Sequence, residues 1–104
     1  MLLAELGMVF TGGTGTGTVH LVARTGKVHG GPGTRPLLMS EDEDYEEQQV
    51  LPISACGEAL YPEVLLAAAE TVDCGHCKRS TAMHEAAPEI HAARCAELRA
   101  MANA

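Results

Sequence analysis

The chain has 104 residues, 46% of them hydrophobic but with one Phe, two Tyr and no Trp, and carries a formal net charge of −7. That length suits a single domain, and no apolar run approaches the ~18 residues of a membrane helix. The acidic balance argues against a general polyanion-binding surface.

Much of the apolar content is Ala, which buries little area per residue. At about 25 cal/mol per Å² of apolar surface, such a core gains little over chain entropy, so a chain of this size calls for a staple. The first residues, Met1 to Leu6, lack the basic n-region of a secretory signal. A reducing cytoplasm is therefore expected, where the four cysteines, Cys56, Cys74, Cys77 and Cys95, read as metal ligands before disulfides.

Met8-Val9-Phe10 suits a short strand. Thr11 to Thr18 is a Gly/Thr tract, and residues 1–17 read as a Gly/Thr-rich N-terminal segment ahead of a domain at 18–104. Thr18 to Ala23 is β-branched and bounded by turn residues, the pattern of a strand. Thr25-Gly26 suits a turn, after which Lys27-Val28-His29 returns as the second strand of a hairpin. Gly30, Gly31, Pro32, Gly33 and Pro36 break regular structure.

Glu41, Asp42, Glu43, Asp44, Glu46 and Glu47 hold six of the fourteen acids, and the remaining eight nearly balance seven bases. This acidic insert, at about 40–49, reads as a solvated loop or exposed helix, with a site for a basic partner as the sharper alternative. Val50 to Ala55 suits an edge strand containing Pro52. Pro62 predicts the first turn of a helix over Glu63 to Glu70. Lys78 to Ala87 is helical in pattern, and Pro88 opens a further helix to Ala102, with Ile90, Ala93, Leu98 and Met101 as its apolar side.

Cys74-Gly75-His76-Cys77 is the stretch that organises these elements. Two thiolates two residues apart can bite one zinc ion from a tight turn, which Gly75 permits, and Lys78 and Arg79 can offset the thiolate charge. Cys56-Gly57, following a strand, offers a third thiolate from half of a second knuckle. Zinc prefers four tetrahedral Cys or His ligands. His20 or His29 can supply the fourth. His76 is expected to point away from a metal held by its neighbours. His91 and Cys95 lie four apart, with His84 seven before His91. They share a helical face that can hold a metal, or else comprise a small buried thiol and surface imidazoles.

The pattern Val19-His20-Leu21, Cys56-Gly57, then Val72 with Cys74 and Cys77, resembles a loose group of small zinc-finger-like proteins of actinobacteria and their phages. The likeness spans about residues 18–87. The bias to Ala, Gly and Arg over Lys fits a GC-rich genome of that kind. The resemblance implies His20, Cys56, Cys74 and Cys77 as ligands of one structural Zn²⁺. The fold expected is a small zinc-clipped α+β domain, treble-clef or zinc-ribbon-like, with a β-hairpin and C-terminal helices.

Two other resemblances are local. Cys74 to Lys78 is letter for letter the active-site string of protein disulfide isomerases, where a helix N-terminus activates the first thiol. Only 27 residues follow Cys77 and no Trp precedes Cys74, so the thioredoxin context is missing. Met8 to Gly17 resembles the glycine-rich nucleotide loop of tubulin-type GTPases. Here the β-branched Thr18-Val19 follows, and no Gly-Lys-Ser/Thr closes the loop.

A site closed by four protein ligands has no open metal position and is structural. The expected function is therefore a non-enzymatic module that binds a protein partner, with self-association through the Ala-rich C-terminal helix as a further possibility. The alternatives are a nucleic-acid-binding regulator, using Arg24, Lys27, Lys78 and Arg79, and a thiol–disulfide oxidoreductase using Cys74 and Cys77.

Overall fold

The computed structural model describes residues 2–35 and 49–103. A short 3-10 turn, Leu3–Leu6, leads into strand β1, Met8–Gly12, and then strand β2, His20–Val28. Strand β3 is Gln49–Ser54, and β4 is Leu65–Ala68, followed by a second 3-10 turn at Ala69–Thr71. Three helices complete the chain: α1, Gly75–Lys78; α2, Thr81–Ala86; and α3, Pro88–Ala102. The strands form one antiparallel sheet in the order β3-β2-β1-β4. The α+β class, a sheet with C-terminal helices, is the one expected from the sequence. The acidic residues 41–47 lie outside the described residues. Among the described residues no helix is long and apolar enough to cross a membrane.

Two small apolar clusters hold the sheet. One gathers Val9, Leu21, Ala69, Val72, Met83 and the thiols Cys74 and Cys77, with Ala55, Ala82, Ala86, Ala87 and Ile90 against it. The other, farther along β2 and β3, is Val28, Leu51, Ile53 and Ala59. Among the described residues no Phe or Tyr enters either cluster, so two cysteine side chains do part of the filling that larger groups do elsewhere.

The strand at residues 8–10 forms and runs on to Gly12. The turn expected at Thr25-Gly26 does not form, because β2 runs straight through it, pairing Thr25 with Pro52 and Gly26 with Leu51 on β3. Gly26 serves close approach instead: a Cβ there would stand 3.0 Å from the Ile53 side chain. The hairpin is made one step earlier, by β1 and β2 across the Gly/Thr tract. Pro52 sits on an edge strand, as its missing N–H requires.

The helix expected over Glu63 to Glu70 is replaced by β4 and its 3-10 turn. Leu65 to Ala68 pairs with Thr11 to Met8, and these ladder bonds override the helical preference of Leu and Ala. The helix expected from Lys78 to Ala87 is broken at Arg79-Ser80. Ser80 caps α2, its hydroxyl oxygen accepting from Met83 N–H at 3.1 Å and its hydroxyl donating to Cys77 C=O at 2.6 Å. The apolar side expected on α3 is not buried either. That helix contains no buried residue, and Met101 is 69% exposed.

Candidate metal centre

The start of β2 is held from two sides by backbone hydrogen bonds. On one side Asp73 N–H and Cys74 N–H donate to Val19 C=O, at 2.9 and 3.1 Å. On the other, Ala55 N–H donates to Leu21 C=O at 2.8 Å. His20 lies between these two ties, so the C-x-x-C segment and the turn carrying Cys56 close on its side chain. Their separation in sequence is large, but the ladder makes them neighbours.

Cys56 occupies the tip of a tight turn after β3. Gly57 N–H donates to Ser54 C=O at 2.9 Å, and Ser54 N–H to Glu58 C=O at 2.8 Å. Gly57 has φ +96°, a conformation that disfavours any side chain. Cys74 caps α1, its Sγ accepting from Cys77 N–H at 3.5 Å, so one sulfur of the pair is oriented by the backbone of the other.

The four groups meet. His20 Nδ1 is 3.6 Å from Cys56 Sγ and 3.7 Å from Cys77 Sγ, and Cys74 Sγ is 4.0 Å from Cys56 Sγ. All four ligand atoms lie within 4.8 Å of one another. A tetrahedron with Zn–S near 2.3 Å and Zn–N near 2.0–2.1 Å has S···S edges of about 3.8 Å and S···N edges of about 3.6 Å. The separations of 3.6, 3.7 and 4.0 Å lie close to these edges, and the 4.0 Å between the Cys56 and Cys74 sulfurs is far too long for a disulfide, whose sulfurs lie about 2.05 Å apart. All four cysteines are free thiols.

Chemistry around the four supports the same use. Cys77 is fully buried. Burial pushes its thiol from 9.0 up to about 12, with the Cys56 and Cys74 sulfurs adding to the rise and the backbone N–H groups of Leu21 and Cys56 opposing it. Three sulfurs this close without a cation favour the neutral thiol; a divalent cation reverses that preference. Ser54 Oγ lies 3.0 Å from Cys56 Sγ and serves as a donor to that sulfur as a thiolate. On the far side of the His20 ring, Nε2 faces Glu58 Oε2 at 3.9 Å. A metal on Nδ1 would leave the ring proton on Nε2, on the side of this carboxylate.

Of the two histidines left open by the sequence, the structure places His20 in the cluster. His29 follows the last residue of β2, at the end of that strand opposite His20. His76 is exposed and lies beside Arg79, Nδ1 to Nη2 3.2 Å, away from the sulfurs. Solvent approaches the cluster at Cys56, which lines an open pocket of about 650 Å³ with Ala55, Glu58, His76, Arg79 and Ser80.

Sequence reasoning missed Ser54, Glu58 and Arg94. Ser54 and Glu58 flank Cys56 two residues to either side, a signal open to inspection once that turn is recognised. Arg94 comes from α3. Its guanidinium lies against the first turn of α1, where a Cβ on Gly75 would stand 2.7 Å from Nη2. Gly75 thus admits a cation beside the C-x-x-C, a role that Lys78 and Arg79 were expected to fill. Compared with protein-family profiles, with curated proteins and with solved structures, the chain matches none.

Proposed function

We propose that the chain is a small zinc-stabilised interaction module, with one Zn²⁺ held by His20, Cys56, Cys74 and Cys77 and no catalytic role for the ion. The observation that carries this reading is the convergence of three sulfurs and one imidazole nitrogen within 4.8 Å. Four protein donors complete a tetrahedron and leave no position for substrate or water. The ion would link the start of β2, the turn after β3 and helix α1, and so substitute for the large side chains that the core lacks. With ligands from a turn and a helix N-terminus, beside His20 on β2, we read the arrangement as treble-clef-like.

A protein partner is supported by the other end of the sheet. β4 is an edge strand. It carries Leu65 and Leu66, 67% and 47% exposed, and Leu66 pairs across the ladder with Phe10, also exposed. Leu3 and Phe10 line one apolar groove with Val9, Val22 and Ala82. An edge without inward charges, Pro or a bulge is a template for strand addition. The module is accordingly read as an adaptor that receives an extended segment of its partner on β4. The resemblance to small actinobacterial and phage proteins is the ground for assigning it a regulatory setting.

Thiol–disulfide exchange is less well supported. It needs an accessible first thiol with a lowered pKa, and Cys74 is only 8% exposed.

The test is native mass spectrometry with metal analysis, coupled to thiol alkylation. One zinc per chain is expected, with Cys56, Cys74 and Cys77 resisting alkylation until a chelator is added. A folded, metal-free chain whose three thiols alkylate freely would overturn the reading.

A further inference from the structure

The corner between α2 and α3 carries a second set of donors, none of them part of the first. His91 and Cys95 are one turn apart on α3, with Cys95 Sγ 3.7 Å from His91 Nε2 and 4.0 Å from Nδ1. His84, on α2, sets its ring edge-on to His91, with centroids 4.9 Å apart and planes at 71°. The three residues therefore come from two helices that meet at Ala87, whose φ of −149° and ψ of 76° turn the chain between them.

We propose that His84, His91 and Cys95 form a second metal site, for a late first-row divalent cation such as Zn²⁺, with water in the fourth position. The 3.7 Å separation is the S···N edge of a tetrahedron around zinc. An i, i+4 pair on a helix presents both donors to one side, as helical zinc ligands do. His84 is exposed, and its ring must turn to bring a nitrogen to the ion. Imidazole with thiolate is the donor set that zinc and its neighbours in the series prefer over magnesium or calcium.

The site also answers a question that packing leaves open. α3 has fifteen residues and buries none of them, and an isolated helix of that length is marginal in water. Ile90 packs against the core and Arg94 lies over Gly75. A cation bridging His84 to His91 and Cys95 ties the first turns of α3 to α2. With three protein donors and one solvent position, this site binds more weakly than the first and exchanges its ion faster.

Zinc titration of the full chain, followed by native mass spectrometry, tests the proposal. Two zinc ions are expected in the wild type, and one in Cys95→Ser and in His91→Ala, with the first, tightly held zinc retained by both variants. His84→Ala is expected to lower the second affinity at least about tenfold. Cobalt added to the one-zinc wild type gives a thiolate-to-metal charge-transfer band that Cys95→Ser lacks. Saturation of the wild type at one zinc, or retention of the second zinc by Cys95→Ser, overturns the proposal. Failure of the first site would show separately, as loss of the tightly held ion.

Discussion

His20 and Glu58 face each other across 3.9 Å, Nε2 to Oε2, on the side of the imidazole opposite the sulfurs. The carboxylate stands where a proton on Nε2 would point, while Nδ1 faces the sulfurs. Because Glu58 is 47% exposed in its side chain, its influence is screened. Glu58→Gln is expected to weaken zinc binding by about tenfold, the low end for such partners, while leaving the saturated fold intact. Competition with a chromophoric chelator measures the change; equal affinity in the two proteins would remove Glu58 from the site.

Metal removal should unfold the region around α1. Structural zinc supplies an apparent 10–16 kcal/mol in small zinc domains, roughly, against total stabilities of about 5–15 kcal/mol. Chelator is expected to abolish the cooperative thermal transition, and Cys77→Ser to reproduce the effect without chelator. A circular dichroism melt of each sample is the check.

The pH dependence follows from Cys77. Its folded, metal-free thiol titrates near 12 against 9.0 ordinarily. Any fold that the metal-free chain keeps therefore loses stability as pH rises from 9 toward 12. Near neutrality the thiol keeps its proton, so zinc must displace it. Apparent zinc affinity should therefore fall by at least about tenfold for each unit of acidification below neutral. Proton release in weakly buffered solution on adding zinc reports the same event.

Met83 is fully buried in the cluster that contains Cys74 and Cys77. Met83→Ala removes support for that cluster and is expected to cost about 2–4 kcal/mol, whereas Met83→Leu keeps the volume and should cost under about 1.5 kcal/mol. Denaturant titration at saturating zinc separates the two.

Leu66 on β4 is the probe of the sheet edge. Leu66→Lys places a charge on an edge strand, the usual guard against strand addition. Self-association or partner capture through β4 should drop by tenfold or more, with stability changed by less than about 0.5 kcal/mol because the side chain is half exposed. Sedimentation of the variant against the wild type, with and without partner, provides the comparison.

Local chemistry was legible in the sequence. The Cys74-Gly75-His76-Cys77 spacing, the Cys56-Gly57 turn and the strand-borne His20 each dictate a bite or a turn within a few residues, and these are the groups that converge. Elements whose form depends on distant partners were misread. Leu65 to Ala68 is apolar without a clear period, and it becomes a strand only because Met8 to Thr11 stands beside it. Thr25-Gly26 has the letters of a turn, yet Leu51 and Pro52 hold it extended.

By itself, then, the sequence determined that this chain carries donors suited to one closed metal site and few large apolar groups. Only the tertiary structure decided that His20 rather than His29 joins the sulfurs, that Ser54, Glu58 and Arg94 surround them, and that β4 is left as an edge. Spacing along the chain sets the reach of neighbouring side chains, whereas the meeting of residues far apart in sequence is set by strand pairing, and pairing energy belongs to both strands at once.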